Sequence, residues 1–499
     1  MNRHVTLPPA KTLAASLAVA AALAACTVGP DYKGPPRVAP AAEQAQAFHR
    51  AALAQADSAP AAARWWETLN DPELNHLIAA ALADSPDVHA AEARLRQSRG
   101  GVRQQRANEL PTVAGSALYV HTQLPSTSLF GSSSSQAASS QASAQSESLS
   151  GDLNLYDVGF DATWEVDVFG GARRAIEEAK AKAQAQQASL EDLHVSLAAE
   201  VAQAYVQLRG QQRRLELSRQ SAELESRELA LTQDRRARGV SSEADIERAR
   251  SQLETTQGSL IPLRGQIEVS LDQLAMLTGR EPGALDQELA AAQPIPKLPA
   301  VVAVGAPSAL MRRRPDIRQA ERALAASNAQ IGEQVANLFP KLNLLGDIGW
   351  GSTDIGGLFS GSNFTPVVAP VLQWNILDFG RTRAKIAQAQ AGRDEAAAKY
   401  QGAVLSALED AETALSRFGH ERENVLNLER VKASADRSAD LTHQRYQAGT
   451  ASLIDLLDTE RTRLTAEQNL AAGQAQLVAD YVSLQKSLGL GWAPTQGAA

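Results

Sequence analysis

A single residue of this chain stands where covalent chemistry is expected. Cys26 is the only cysteine among the 499 residues, and it directly follows an Ala- and Leu-rich run over residues 13–25 that has two basic residues ahead of it. A charged segment followed by an apolar one indicates a secretory signal peptide, here over residues 1–25. The apolar run is too short to span a bilayer.

The end of this run predicts a specific modification. Residues 23–26, Leu-Ala-Ala-Cys, resemble the bacterial lipobox, in which the cysteine thiol receives a diacylglyceryl group and becomes the N-terminus after cleavage. The sequence therefore predicts a covalent lipid on Cys26. The alternative is an ordinary secretory signal with an incidental cysteine.

No other group of residues predicts catalysis. The eight histidines are scattered without metal-ligand spacing, and the chain has no Gly-rich phosphate loop and no nucleophile elbow. The formal net charge of -8 leaves no basic surface of the size that nucleic acid requires. We therefore expect no enzyme, no metal, no cofactor beyond the lipid on Cys26, and no nucleic-acid partner.

Comparison of the chain with itself reveals two related halves. Positions between 86 and 111 recur 229 residues later, and positions between 164 and 279 recur 210 residues later, as Trp164 does at Trp374. A duplication is the simplest account of this two-fold internal repeat. The predicted segments are an N-terminal extended or equatorial segment over 26–80, a first repeat over 81–279, a Pro-rich linker over 280–308, a second repeat over 309–489 and a tail over 490–499.

Alternation of apolar and polar residues predicts four strands. Apolar and polar residues alternate without exception over 157–168. One face of this strand therefore suits lipid and the other water. The matching segment 364–376 carries Pro366 and Pro370, which indicate an edge or interface position or a bulge. Partner strands are predicted at 112–121 and 342–350, which gives hairpins over 112–168 and 341–376. A half-buried soluble sheet would produce the same pattern.

Two long segments predict helices of unusual length. Residues 171–237 and 381–447 contain no proline, and a helix of this size is on the order of 100 Å long. Return helices are predicted over 241–278 and 451–488, early helices over 86–110 and 315–338, and hairpin tips at Gly239 and Gly449. The two shorter helices of each repeat, stacked end to end, match the long one. Pro262 is expected to kink the first return helix.

The number of strands predicts an oligomer. After Cys26 no apolar run reaches 18 residues, the length that a membrane-spanning helix needs. If the chain crosses a membrane, it must therefore do so through its strands. Four strands cannot close a membrane barrel, because the smallest single-chain barrels use about eight. Several copies of the chain must therefore combine.

Several segments, in their order along the chain, resemble TolC-like outer-membrane factors, and specifically the NodT family of efflux lipoproteins. The likeness covers essentially the whole mature chain. Its elements are residues 26–32 (CTVGPDY), the Trp65-Trp66 pair with Asp71-Pro72-Glu73-Leu74, residues 164–170 with Arg173-Arg174, residues 312–317 (RRRPDI), Phe339-Pro340 and residues 445–449 (RYQAG).

This resemblance implies an α+β fold in a homotrimer. Three chains, with four strands each, would close one twelve-stranded outer-membrane β-barrel, continued by a long periplasmic α-helical barrel. The implied function is the exit duct of a tripartite efflux system, lipid-anchored in the outer membrane and extending into the periplasm. Its partners would be a periplasmic adaptor (membrane fusion protein), an inner-membrane transporter of the resistance-nodulation-division (RND) or major-facilitator (MFS) class, and outer-membrane lipid.

Two other functions share part of this sequence pattern. The exit duct of a type I protein secretion system shares the fold, although the lipobox and residues 29–32 favour the efflux branch. A stand-alone porin has short periplasmic turns rather than helices of about 100 Å.

The resemblance also implies two functional sites. The hairpin tips would contact the adaptor through Arg238, Gly239, Val240, Ala448, Gly449 and Thr450. Asp436 and Asp440, one helical turn apart, would form acidic rings at a periplasmic gate. The simpler interpretations are that the glycines only provide left-handed turns and that the two acids are solvated surface residues.

Overall fold

The structure, a computed structural model, describes residues 27–59, 61–124 and 151–492. The predicted signal peptide, Cys26, most of the Ser- and Gln-rich loop and most of the predicted tail lie outside the described residues. Helices dominate the described chain, and one larger sheet accompanies them. The α+β class is therefore confirmed.

Ten helices lie in the described ranges. They are α1 (Pro40–Gln44), α2 (Ala51–Ala54), α3 (Pro72–Asp84), α4 (Pro86–Ala107), α5 (Gly171–Ala237), α6 (Glu243–Leu277), α7 (Pro307–Arg313), α8 (Pro315–Ala336), α9 (Arg381–Gln447) and α10 (Leu453–Ser487). The 67-residue helices α5 and α9 have the bounds that the sequence predicts. Pro262 lies inside α6, which continues on both sides of it. None of the described helices is both long enough and apolar enough to cross a membrane.

The strands belong to two sheets. They are β1 (Ala56–Asp57), β2 (Thr112–Leu124), β3 (Gly151–Val166), β4 (Val302–Ala303), β5 (Lys341–Ser352) and β6 (Phe364–Gln373). The chain divides into two compact units: one holds the described residues up to Lys33, Gly100–Lys180 and Ala325–Arg393, and the other holds Gly34–Arg99, Ala181–Leu324 and the described residues from Asp394 onward.

The first unit contains a four-stranded antiparallel sheet. Its strands pair in the order β2, β3, β5, β6, so both predicted hairpins form. β6 is an outer strand of this sheet and carries Pro366 and Pro370. Proline removes a ladder donor and is tolerated best at an edge, and the outer position of β6 in the sheet of one chain agrees with the edge or interface position that the prolines indicate.

The two hairpins have corresponding registers. Thr112 lies opposite Thr163 in the first hairpin, and Lys341 lies opposite Gln373 in the second. These residues are related by the two offsets found in the sequence, 229 for the first strand and 210 for the second. Matching side-chain contacts accompany the registers: the Trp164 indole donates to the Glu109 carbonyl at 2.8 Å, and the Trp374 indole donates to the Leu338 carbonyl at 3.1 Å.

The second unit has an extensive apolar core, and smaller separate clusters lie along its helices. Its largest fully buried side chain is Trp65, which packs edge-on against Trp66 and Tyr481 with ring centroids 5.7 and 6.0 Å away. Phe418 of α9 also packs near Tyr481, at 6.3 Å between ring centroids. The Trp-Trp pair therefore anchors the segment before α3 in the core.

The structure differs from the extended segment that the sequence predicts over 26–80. Residues there form α1, α2 and the start of α3, and β1 pairs in parallel with β4 of the predicted linker, Ala56 opposite Val302. Asp71 caps α3 by accepting from the Glu73 and Leu74 amides. An acid followed directly by Pro72 is a helix-start signal, so this helix could have been predicted from the sequence.

Candidate functional site

The two helical hairpins end in turns of the same conformation. Gly239 and Gly449 have φ of 79° and 69°, the left-handed region that glycine enters without strain. The Val240 amide donates to the Arg235 carbonyl at 2.9 Å, and the Thr450 amide makes the equivalent bond at 2.8 Å. This bond pattern is the Schellman motif of helix ends. The left-handed turns expected at both tips are therefore present.

A capping box starts each return helix directly after the turn. The Ser242 hydroxyl accepts from the Asp245 amide at 3.2 Å, and the Asp245 carboxylate accepts from the Ser242 amide at 2.9 Å. Ser452 and Asp455 repeat the arrangement at 3.1 and 2.9 Å. Hydrogen bonds from the serine hold the pKa of each aspartate below its ordinary value. Both tips are thus internally hydrogen-bonded on each side of the glycine.

The tips also offer an open surface. All six residues predicted to contact an adaptor are exposed: Arg238, Gly239, Val240, Ala448, Gly449 and Thr450. Val240 is 64% exposed. A Cβ added at either glycine would meet no heavy atom within 4 Å. Contact with an adaptor remains a prediction.

The two predicted gate acids lie in different surroundings. Asp436 is half-buried and accepts from the Lys432 ammonium, one turn earlier on α9, at 2.7 Å. Asp440 is exposed. Between them Ala439 is buried, which fixes the face that α9 turns inward. The charge of Asp436 is therefore compensated within the chain, and Asp440 is the stronger candidate for a free negative charge.

A buried arginine that the sequence identifies only as part of the family resemblance holds the residues after Cys26. The Arg174 side chain is only 4% exposed, and it donates to the Val28 carbonyl at 3.1 Å and the Gly29 carbonyl at 3.3 Å. It also bonds the Asp31 carboxylate at 2.6 Å. The Arg174 hydrogen bond and charge lower the pKa of Asp31.

Further contacts fix the same segment. The Val28 amide donates to the Phe169 carbonyl at 3.1 Å, and the Asn328 side chain donates to the Pro30 carbonyl at 2.9 Å. Gly170 has φ of 80° and lies directly against Thr27, which leaves no room for a side chain. Two segments of the family resemblance, residues 26–32 and the Arg173-Arg174 pair, are therefore parts of one contact.

A second arginine joins three helices in the second unit. Arg314 donates to Asp316 at the start of α8 (2.6 Å), to Asp410 of α9 (3.1 Å) and to the Ser487 carbonyl at the end of α10 (2.8 Å). Its side chain is 11% exposed. It lines a cavity of about 430 Å³, where burial, followed by the charge of Asp316, raises the pKa of Asp192. The sequence identifies the Arg-Arg-Arg-Pro-Asp segment as part of the family resemblance but does not predict these contacts.

The groups that these sites offer to a partner are charged and hydrogen-bonding groups. In the ranges that the structure describes, no three His, Cys, Asp or Glu side chains lie close enough together to hold a metal ion. The sites instead present exposed hydrogen-bonded turns, the exposed acid Asp440 near one tip, and a clamped N-terminal segment.

Known proteins match this chain over nearly its whole length. The family model described as Outer membrane efflux protein matches residues 77–280 and 306–490. Outer membrane protein OprJ of Pseudomonas aeruginosa is 30% identical over 478 residues, which are 96% of this chain and 95% of OprJ. Nodulation protein T of Rhizobium leguminosarum bv. trifolii is 30% identical over 476 residues, 95% of this chain and 96% of that protein.

Solved structures give the same result. The outer-membrane channel OprN is 32% identical and has a TM-score of 0.82, with 93% of this chain and 99% of that chain covered. The open state of the MtrE outer membrane channel of Neisseria gonorrhoeae is 27% identical with a TM-score of 0.78, covering 93% of this chain and 98% of that chain.

Proposed function

The chain belongs to the outer membrane efflux protein family, and from that premise we propose how its parts serve export. The protein is the outer-membrane channel of an efflux system and extends into the periplasm. The observation that carries this function is the match of both repeats, residues 77–280 and 306–490, to the family model. The exported compounds would be drugs or other small molecules delivered by an inner-membrane pump.

The assembly that fits this function is a homotrimer. Three copies would contribute four strands each to a closed sheet of twelve strands, and their long helices would continue it into the periplasm. The two-fold internal repeat belongs to the same proposal. It is supported by the four-stranded sheet, whose outer strands β2 and β6 each have one free edge among the described residues, and by the corresponding registers of the two hairpins.

The proposed partners are a periplasmic adaptor and, through it, an inner-membrane transporter of the RND or MFS class. The adaptor would bind the tips, because hydrogen bonds hold the backbone on both sides of each glycine and the side chains are exposed. A preorganised surface loses little conformational entropy on binding.

Val240 gives a direct test of the tip contact. A Val240→Asp substitution should leave the fold unchanged, because the side chain is 64% exposed, but it would place an unpaired carboxylate in the interface. We expect adaptor binding to weaken about tenfold, the effect of ~1.4 kcal/mol, with loss of efflux in cells. Binding of the purified adaptor measures the first effect, and drug susceptibility measures the second.

The matched control introduces an aspartate elsewhere on this hairpin. Gln257 is exposed on α6, and Gln257→Asp should bind the adaptor like the wild type. Equal binding by Val240→Asp and the wild type would remove the tip from the proposed interface.

The gate proposal now rests mainly on Asp440. Three symmetric copies of this exposed acid would concentrate cations at the mouth of the duct. Asp440→Ala should therefore reduce the cation selectivity of single channels in planar bilayers on the order of twofold. Asp436→Ala should change it less, because Lys432 already neutralises that carboxylate.

Lys432 provides the control for this interpretation. Lys432→Ala would release the charge of Asp436, so selectivity for cations should rise. If neither Asp440→Ala nor Lys432→Ala alters selectivity, both acids are solvated surface residues, while any measurable conductance still supports the channel.

The lipid on Cys26 is a further part of the proposal. It is supported by the clamp on residues 27–31, since Arg174 holds the chain immediately after the proposed anchor. A thioether-linked lipid removes the only thiol of the chain. Reaction of the denatured mature protein with a maleimide would contradict the proposal.

A further inference from the structure

A cavity of about 540 Å³ lies in the second unit, between helices α3, α4 and α5 and the last described residues. Its volume falls in the range of cavities that hold small molecules, about 300–1,000 Å³. Most of its wall is apolar, formed by two tryptophans, three leucines and an alanine: Trp66, Trp492, Leu82, Leu95, Leu190 and Ala79. Along α5 it lies roughly 70 Å from the hairpin tip, so it is not part of the proposed adaptor contact.

The Trp492 side of this cavity is held in place by a stacked arginine. The Arg318 guanidinium lies 5.0 Å from the centre of the Trp492 ring, and it pairs with Glu191 of α5, whose side chain is only 13% exposed. Gly491 has φ of 129°, and a Cβ added there would come within 3.1 Å of the Val195 Cα. These contacts fix the chain before the ring as well as the ring itself, so this wall of the cavity is preformed.

The charges around the cavity leave one cation without a partner. Both acids of the wall, Glu67 and Glu191, are paired with arginines. Burial lowers the pKa of His194, which keeps this side chain uncharged at neutral pH. Arg99 of α4, which also lines the cavity, has no ion pair and no side-chain hydrogen bond with any residue in the described ranges. The cavity therefore favours a ligand with an anionic group.

Two of the lining residues carry a buried polar atom that has no hydrogen-bond partner in the part of the chain that the structure describes. These atoms are the Trp492 indole nitrogen and the Asn75 side-chain oxygen. Such groups are rare in native proteins and call for an explanation. An indole N–H only donates, so the group that satisfies it must be an acceptor. Trp492 and Arg99 thus favour the same kind of ligand group.

We propose that this cavity binds a small amphipathic carboxylate. Its flat apolar body lies against the two tryptophans and the leucines, and its carboxylate accepts hydrogen bonds from Arg99 and from the Trp492 indole. An ionised carboxylate only accepts, and its hydrogen bonds with a guanidinium are among the strong ones. The Asn75 oxygen can accept from a hydroxyl or N–H group on the body of the ligand. The inference is independent of the proposed channel function, because one chain supplies the whole site.

Two naphthalene ligands test the requirement for an anion. 2-Naphthoate carries the carboxylate, whereas 2-naphthamide has the same rings without a charge. Isothermal titration calorimetry of the full protein in lipid nanodiscs should show one naphthoate bound per chain, and the amide should bind at least about tenfold more weakly. Empty nanodiscs, titrated in parallel, correct for partition of the ligands into lipid.

Three variants locate the ligand. Arg99→Gln should lower the affinity for naphthoate about tenfold and leave the affinity for the amide unchanged. Arg96→Gln is the matched control, because Arg96 is exposed on the same helix but does not line the cavity, and it should bind both ligands like the wild type. Ala79 is exposed at the edge of the cavity, so Ala79→Trp should fill the space and abolish binding of both ligands.

Each outcome decides the proposal. Equal affinities of the wild type for naphthoate and the amide would reject a site for anions. An equal loss in Arg99→Gln and Arg96→Gln would attribute the effect to the charge of the whole helix, and unchanged binding by Ala79→Trp would place the ligand elsewhere; either result overturns the proposal, as does heat no larger than that of empty nanodiscs. Circular dichroism and the Tm of each ligand-free variant show whether its fold is retained.

Discussion

Replacement of Arg314 by leucine should destabilise the second unit by about 3 kcal/mol, the low end of the range for breaking a buried ion pair. The guanidinium is 11% exposed and satisfies two carboxylates and a carbonyl from three helices. Leucine fills part of the volume but leaves Asp316 and Asp410 without their cation. The low end applies because Asp410 is 51% exposed, so water compensates it partly.

Thermal unfolding of the detergent-solubilised protein, followed by far-ultraviolet circular dichroism, measures this effect. A loss of that size should lower the apparent Tm by about 5 °C or more. Arg314→Lys is the control: an ammonium keeps the charge but cannot reproduce the planar fork of donors, so its Tm should fall between the two. Equal stability of the leucine variant and the wild type would show that the three helices do not depend on this arginine.

Truncation of Trp65 to alanine should have the second large effect, a loss of about 3–5 kcal/mol. Trp65 is 1% exposed, and its removal would leave a cavity between Trp66, Tyr481 and the rest of the core. Less protein should accumulate in the outer membrane, and the Tm of what does accumulate should fall. Quantitative blotting of membrane fractions and the same unfolding assay measure the two effects.

Trp65→Phe separates packing from hydrogen bonding. The Trp65 indole N–H is buried and has no hydrogen-bond partner among the described residues, a state that costs about 1–3 kcal/mol. Phenylalanine removes this donor while keeping most of the ring, so the variant should lose much less stability than Trp65→Ala. A phenylalanine variant as unstable as the alanine variant would imply that the indole has an essential polar contact.

The sequence predicts the regular elements well, because each has a local cause. The long helices α5 and α9 follow from proline-free segments bounded by glycine, and the four long strands follow from alternation. The prolines of β6 indicate an edge or interface position or a bulge, and β6 is an outer strand of the sheet of one chain. Periodicity within one segment is sufficient for such predictions.

Contacts between distant segments were not predictable in the same way. The pairing of β1 with β4 joins residues about 250 positions apart, and two-residue strands have no periodicity to detect. The clamp of Arg174 on residues 28–31 depends on the start of α5 meeting a segment that is distant from it in the sequence. Only the fold brings these groups together.

The distinction between the two gate acids, by contrast, was visible in the sequence. Lys432 lies four residues before Asp436 on a helix, the spacing at which opposite charges pair. Asp440 has the acid Asp436 at that distance and Arg437 three residues before it, so the sequence alone leaves its compensation open. Asp436 should therefore have been expected to be neutralised within its own helix.

The clamp on the N-terminal segment limits how far the proposed anchor can move. Thr27 follows Cys26 directly, and one peptide link spans only about 3.8 Å between Cα atoms. Val28, Gly29 and Asp31 are bound to Arg174 at the start of α5. A lipid on Cys26 would therefore be attached only two residues from a fixed point of the chain. The lipid would then fix the position of the start of α5 relative to the membrane surface, already in a single chain before assembly.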